Sequence, residues 1–335
     1  MKPRVLIGPA PIREIPYTYA PLLEGVFELV YPKRAAQLTE AELIEQLPGC
    51  VASLAGSEPY TRKVIEAAAK AGLKVLGRAG VGYDAVDVQA CTDHGIAVTN
   101  APGTNHEAVA EHALLLMLAL SKSLLMQHEK MKAGGWPRIA QQPMRGRTLG
   151  LLGLGRTGKA VALRAKAFDM PVIACDPYVD GKFAAQHGIA MVSLDQLLKD
   201  SDIISLHVPL TIETKAIINA KTIDCMKPTV HLINTARGEV IDEAALYEAL
   251  KAKRIAAAGL DVFIDEPPKG NPLLTLENVI LTAHTAGVDL RSREDMARVG
   301  ALGISKLLIE KVWPVELVVN PEVRSAFPNM QEWKA

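Results

Sequence analysis

The feature that most constrains this chain is Gly153-Leu-Gly155-Arg-Thr-Gly158, set between the apolar run Thr148-Leu-Gly-Leu-Leu152 and a helical segment, Lys159 to Phe168. Strand, glycine turn and helix, in that order, is the setting in which G-x-G-x-x-G receives a pyrophosphate. The first glycine permits a tight turn and the second lets phosphates approach the backbone. The third brings helix and strand close, and the helix N-terminus offers free N–H groups to the anion. Glycines also pack helices on strands without any ligand, so a second element matters. Asp176 ends the next apolar run, Pro171-Val-Ile-Ala-Cys175, and stands 18 residues past Gly158. A carboxylate at about that distance is the expected partner of the ribose hydroxyls. It would repel a 2′-phosphate, so NAD is expected rather than NADP. Asp176 also precedes Pro177, where aspartate caps a turn, and the two roles are compatible.

The motif begins mid-chain, so something sizeable precedes it. At 335 residues the chain is long enough for two domains. Hydrophobic content of 49%, with 22% charged residues, is that of a core-forming globular protein. A formal net charge of zero points to neither nucleic acid nor an anionic membrane as partner. Cys50, Cys91, Cys175 and Cys225 are scattered without metal spacing, so no metal site is expected and reduced thiols in a cytoplasm fit best. The start of the sequence carries no signal-peptide pattern, and the most apolar stretch, Ala113 to Leu120, is too short to span a membrane.

Before the glycine turn, strand-like runs (4–7, 26–31, 51–54, 73–76 and 96–99) alternate with helical segments. One of these starts at the capping box Thr39-Glu-Ala-Glu42, and others run over 59–70 and 85–93. From Asn105 to about Lys132 the pattern predicts one long helix, apolar on nearly every side after His112 and therefore buried, either between domains or against another subunit. After Asp176 come a helix capped by Ser193, strands at 203–207, 229–234, 255–261 and 279–282, a helix over 242–251 and a final helix over about 290–310. Such alternation implies mainly parallel sheets covered by helices. The expected fold is α/β with two doubly wound domains. A discontinuous first domain of residues 1–101 and 290–335 pairs with a dinucleotide-binding domain of residues 102–289, and the cleft between them is the expected active site.

Three polar groups follow consecutive late strands of the second domain: Arg237, Glu266 and His284. Open parallel sheets bind ligands just beyond the carboxyl ends of their strands. There, Arg237 can clamp a carboxylate bidentately and polarise the neighbouring carbonyl. His284 can give a proton to the carbonyl oxygen as hydride reaches carbon, and take it back in reverse. Glu266 beside the imidazole would orient it and favour its charged form. Each residue alone has an ordinary structural explanation, but three at successive strand ends suggest hydride transfer on a 2-oxo or 2-hydroxy acid.

The sequence resembles the D-isomer-specific 2-hydroxyacid dehydrogenase family. The matching motifs are Arg78-Ala-Gly-Val-Gly-Tyr-Asp-Ala-Val-Asp87, Asn100-Ala-Pro-Gly-Thr-Asn105 with Val109-Ala-Glu111, and Gly153 to Gly158. They continue with His207-Val-Pro209, Asn234-Thr-Ala-Arg-Gly238, Gly259-Leu-Asp-Val-Phe263 with Glu266-Pro267, Thr282-Ala-His-Thr-Ala-Gly287, and the tail Val319-Asn-Pro-Glu322. The resemblance implies a flavodoxin-like substrate domain, a Rossmann NAD-binding domain and Arg237, Glu266 and His284 as the catalytic trio. It implies that Gly80 and Val81 bind the substrate carboxylate with Arg237 and His284, and that Arg156 and Thr157 contact the pyrophosphate. Asp176 would meet the adenosine ribose and Asp261 the nicotinamide amide. His207, Val208, Pro209, Thr214, Thr235, Ala236, Arg237 and His284 fall at cofactor-contact positions, with Thr104 an addition to that set. It also implies a homodimer formed through the cofactor domains, which suits the apolar Ala113 to Leu120 segment.

Ala283 and Ala85 replace the proline and asparagine common at those family positions, with no direct chemical consequence expected. More telling, phosphoglycerate enzymes commonly carry an arginine near the strand that here reads Val51-Ala-Ser-Leu-Ala-Gly-Ser57, where no cation stands. Arg78, Arg62 or Lys63 could compensate, or be solvated surface residues. The expected reaction is therefore NAD-dependent oxidoreduction of a glycerate-, hydroxypyruvate- or glyoxylate-like acid, with 3-phosphoglycerate oxidation as the alternative and serine feedback through an added domain not expected. Formate oxidation fits poorly because those relatives carry glutamine at the position of Glu266. Phosphite oxidation is open in principle. A different class is a corepressor-like scaffold that uses NAD to stabilise an assembly, for which the sequence lacks a long disordered tail.

Overall fold

The structure, a computed structural model, describes residues 2–32, 36–178 and 181–334. The chain divides into two compact units, one of Met1–Asn105 with Asp289–Ala335 and one of His106–Val288. The first holds five parallel strands: β1 (Arg4–Ile7), β2 (Glu28–Val30), β3 (Cys50–Ala55), β4 (Val75–Arg78) and β5 (Ala97–Thr99). Their order is β2-β1-β3-β4-β5, the flavodoxin-like order. These strands read as nearly continuous apolar runs because helices cover both faces of the sheet, and two buried clusters lie on its opposite sides. Thr39 and Glu42 form the expected capping box, and Thr61 and Asp87 cap the next two helices.

The helix Leu290–Ser305 lies on this first sheet at very short range. A Cβ on Gly77 of β4 would stand 2.4 Å from the Gly300 carbonyl oxygen, and one on Gly303 would stand 2.2 Å from the Thr99 hydroxyl. Small residues on both surfaces let backbone meet backbone. The tail is tied to the same sheet by the buried Asn320, whose side chain accepts from Val98 N–H (2.8 Å) and donates to the Ile96 carbonyl (3.0 Å).

The second unit holds β6 (Leu149–Leu152), β7 (Val172–Cys175), β8 (Ala190–Met191), β9 (Ile203–Leu206), β10 (His231–Asn234), β11 (Ala257–Leu260) and β12 (Val279–Leu281). All are parallel, in the order β12-β11-β10-β9-β6-β7-β8. Counted from β6 this is the Rossmann arrangement, and the strand order reverses between β6 and β9. The helix expected over 105–132 is instead two, His106–Ser121 and Leu124–Lys132, bent by 60°. The break is at Ser123, whose φ of 48° is left-handed. The first piece is buried through Ala113, Leu114, Leu116 and Met117, whereas Leu124 and Leu125 of the second are each 51% exposed. The apolar pattern past Ser123 is thus surface rather than core. No single helix among the described residues is long and apolar enough to cross a membrane.

Candidate active site

The glycine turn sits at the carboxyl end of β6, beside the reversal point. Gly153 adopts φ 96°, and a Cβ there would stand 2.5 Å from the His207 carbonyl oxygen. Gly158 packs the following helix on the turn, since a Cβ would stand 2.2 Å from the Gly153 carbonyl oxygen. Gly155 is different: a Cβ there meets nothing within 4 Å. It is the N-cap of the helix Arg156–Ala167 and has no side-chain cap bond, so the first N–H groups of the helix that Arg156 and Thr157 open are left without a side-chain cap. Two glycines serve packing, and the third leaves room where a pyrophosphate would approach.

Asp176 caps the turn that follows it and also reaches back to the glycine turn. One carboxylate oxygen accepts from Leu154 N–H in the glycine turn (2.8 Å), and the other accepts from Tyr178 N–H (2.9 Å). It therefore ties the end of β7 to the turn after β6. Val208 packs within 3.1 Å of the Cβ position of Gly153. His207 pairs its Nε2 with Ser205 Oγ (2.9 Å), and burial pushes the imidazole down to about 4. Beyond Pro209, Thr214 closes an exposed loop by donating to the Pro209 carbonyl (2.6 Å). Thr235 follows β10, is buried, and its hydroxyl has no partner among the described residues. An orphaned hydroxyl at the same sheet edge and an uncapped helix start beside open space are the features a dinucleotide would complete.

Arg237 is placed by the loop after β10. Asn234, 1% exposed, folds that loop by donating to the Arg237 carbonyl (2.8 Å) and accepting from Ala236 N–H (3.0 Å). The Arg237 guanidinium in turn donates to the Ala236 carbonyl at 2.6 Å. Gly238 then runs against the loop after β11 so tightly that a Cβ would stand 2.0 Å from the Phe263 carbonyl carbon. This contact sets the Arg237 loop beside the one carrying Glu266. Glu266 accepts from Phe263 N–H at 3.1 Å and pairs its other oxygen with His284 Nδ1 at 2.7 Å. Burial alone would raise the Glu266 carboxyl. The His284 and Phe263 hydrogen bonds and the charges of His284 and Arg237 outweigh it and hold the group below the usual carboxylate range. With Nδ1 turned to the carboxylate, Nε2 of a half-exposed ring is the nitrogen that faces outward.

Asp261 is almost wholly buried, its side chain 1% exposed. Its oxygens accept from Thr285 N–H (2.9 Å), Ala286 N–H (2.9 Å) and the Thr282 hydroxyl (2.5 Å). Its own carbonyl accepts from His284 N–H at 2.8 Å. His112 Nε2 meets the Thr282 hydroxyl at 2.9 Å, an association that the sequence offered only as a lone histidine at the head of an apolar helix.

In the first unit, Gly80 and Val81 follow β4. Their carbonyls accept from Ala101 N–H (3.0 Å) and from the Asn100 side chain (2.8 Å), while their N–H groups meet no protein acceptor among the described residues. The Arg78 guanidinium wraps so closely that a Cβ on Gly80 would stand 2.5 Å from it. Thr104 turns its hydroxyl to the Ala101 carbonyl (2.8 Å). Beyond β3, at the place where a cation was missing, the structure buries an acid: Glu58 is 1% exposed and accepts from Gly56 N–H. Burial raises its carboxyl despite the charges of Arg78 and Arg13.

Residues 114–286 match the family model of the NAD binding domain of the D-isomer specific 2-hydroxyacid dehydrogenases. A D-3-phosphoglycerate dehydrogenase of Methanocaldococcus jannaschii is 45% identical over 317 residues, 93% of this chain and 58% of that protein. The chain thus spans little more than half the length of that relative. A glyoxylate reductase of Korarchaeum cryptofilum is 41% identical over 337 residues, covering 98% of this chain and 99% of the reductase. Among solved structures, D-lactate dehydrogenase from Aquifex aeolicus, complexed with NAD and lactic acid, superposes with a TM-score of 0.83 at 30% identity, over 94% of this chain and 98% of that one.

Proposed function

The chain belongs to the D-isomer specific 2-hydroxyacid dehydrogenase family, and from that premise we propose that it is an NAD-dependent dehydrogenase of a small, unphosphorylated D-2-hydroxy acid. The observation that carries the reading is the 2.7 Å pair of His284 Nδ1 and Glu266, with Arg237 beside it at the sheet edge where the glycine turn also lies. Bound NAD supplies the hydride acceptor. Arg237 holds the substrate carboxylate. His284, oriented through Nδ1 by Glu266, gives or takes the substrate oxygen's proton at Nε2. Glu266 remains a carboxylate throughout, its charge balancing the imidazolium.

Two observations favour an unphosphorylated substrate over 3-phosphoglycerate. A buried acid, Glu58, follows β3, and the glyoxylate reductase match extends over nearly the whole of both chains. The test is a panel of glyoxylate, hydroxypyruvate, pyruvate and 3-phosphohydroxypyruvate, assayed with NADH and NADPH. Turnover of an unphosphorylated 2-oxo acid with NADH is the expected result. Preference for the phosphorylated acid would establish the alternative, and no turnover with any would overturn the reading. A homodimer belongs to the same proposal. Its support is the exposed apolar series Leu115, Leu124, Leu125, Met131, Trp136 and Ile139 on the cofactor-binding unit, and sedimentation at twice the chain mass is the expected outcome. A cytoplasmic location is proposed with it, in keeping with four free thiols.

A further inference from the structure

We propose that His112 and Thr282 are positioning residues for His284, acting through a part-buried hydrogen-bond chain that ends on the loop carrying the imidazole. The proposal rests on the reading of His284 as the proton donor and acceptor. The chain starts from a constraint of proton count. The Thr282 hydroxyl has one proton, and it stands 2.5 Å from Asp261 Oδ1, a carboxylate oxygen that can only accept. That proton is committed to Asp261. Towards His112, 2.9 Å away, Thr282 can therefore act only as acceptor, and His112 Nε2 must be the donor. The same nitrogen is 3.6 Å from Asp261 Oδ1, so its N–H also lies against the buried negative charge.

Asp261 passes this order to the active-site loop. Three consecutive N–H groups end on it: His284 on its carbonyl, and Thr285 and Ala286 on its two carboxylate oxygens. His284 itself has φ 53°, a left-handed conformation uncommon for any residue but glycine. Such a backbone persists only where its surroundings over-determine it. The His284 side chain is 50% exposed, so packing does little to place the ring. Its position is set by Glu266 on one side and by the backbone held on Asp261 on the other. His112 reaches this loop from the helix His106–Ser121 of the same unit, which is buried through Ala113, Leu114, Leu116 and Met117. The arrangement gives the catalytic imidazole a second support that does not touch it.

The experiment uses His112→Leu, Thr282→Val and the double variant, with His112→Gln as the conservative replacement whose amide N–H can reach the place of Nε2. Active sites are counted by NADH titration, and kcat and KM are measured per NADH-binding site on the best 2-oxo acid. His112→Leu and Thr282→Val should each lower kcat on the order of 10- to 100-fold, the range a small misplacement of a reacting group produces. NADH affinity and substrate KM should stay unchanged. The double variant should be no slower than the worse single variant, because both break one chain, and His112→Gln should recover most of the rate. Unchanged kcat per site in either single variant, multiplying defects in the double, or a His112→Gln enzyme as slow as His112→Leu would each overturn the proposal. Thr282→Val, nearly isosteric, keeps the test available if His112→Leu fails to fold. A wild-type protein without turnover would overturn the activity reading instead, so the two failures are distinguishable.

Discussion

Gly155 and Gly158 differ in what a methyl group would meet, and this separates cofactor binding from folding within a single motif. At Gly155 a Cβ finds nothing within 4 Å, and the backbone, at φ −70° and ψ −160°, is extended and open to alanine. Gly155→Ala loses a little as an N-cap and gains a little from a less flexible unfolded chain. These effects are each about 0.5–1 kcal/mol and opposed, so stability should hardly change. The methyl would nonetheless occupy space the pyrophosphate needs, at a cost of about 1–3 kcal/mol, or roughly 5- to 150-fold in NADH affinity. At Gly158 the Cβ would stand 2.2 Å from the Gly153 carbonyl oxygen, where ordinary contact begins at 3.4 Å. The helix must move by more than an ångström, which costs about 1–3 kcal/mol of stability and lowers Tm by several degrees. Thermal unfolding without ligand, paired with NADH fluorescence titration, reads both effects. Wild-type NADH affinity in Gly155→Ala would falsify the placement of the pyrophosphate at this turn. Equal Tm values for the two variants would refute the packing argument.

Three further outcomes are expected. His284→Asn should retain NADH binding while turnover falls about 10²- to 10⁴-fold, the usual worth of a general acid–base group, and near wild-type turnover would remove His284 from that role. Asp176→Ser should improve the use of NADPH relative to NADH, because it removes the charge that repels a 2′-phosphate; an unchanged cofactor ratio in steady-state assays would refute it. The imidazole of His231, 7% exposed, is pushed down to about 4, chiefly by burial. Since the unfolded chain protonates it near 6.5, its contribution to stability is complete above that pH and is lost as pH falls towards about 4, roughly 2 kcal/mol of it by pH 5. Urea denaturation at pH 7.5 and 5 should show a smaller acid loss in His231→Leu, and parallel losses would contradict the burial argument.

The strands and most helix starts were legible because their causes are local. Apolar runs mark strands buried on both faces, and Thr39 and Ser193 announce caps that the structure forms. The break at Ser123 was not legible: the apolar spacing runs on past it, and a left-handed serine costs too little to leave a sequence signature. The site divides along the same line. Arg237, Glu266 and His284 could be found because each follows a strand, and a parallel sheet delivers all its strand ends to one edge. His112 could not, because its partner Thr282 lies 170 residues away and only tertiary packing joins them.

The two carboxylates near His284 show why residue type alone could not assign roles. Both Glu266 and Asp261 follow β11, and both hold His284, one by its ring and the other by its backbone. Exposure decides between them: the Glu266 side chain is 36% accessible and the Asp261 side chain 1%. An acid that must remain charged next to an imidazole can stay partly solvated, because the hydrogen-bonded partner and water both favour the carboxylate. A buried carboxylate is tolerated only when its oxygens are filled by donors. Asp261 fills them with the loop's own N–H groups and the Thr282 hydroxyl. The same requirement that makes its burial possible therefore fixes the backbone on which His284 stands, and a substitution that spares the charge but misplaces the oxygens, such as Asp261→Glu, should disturb the loop as much as one that removes it.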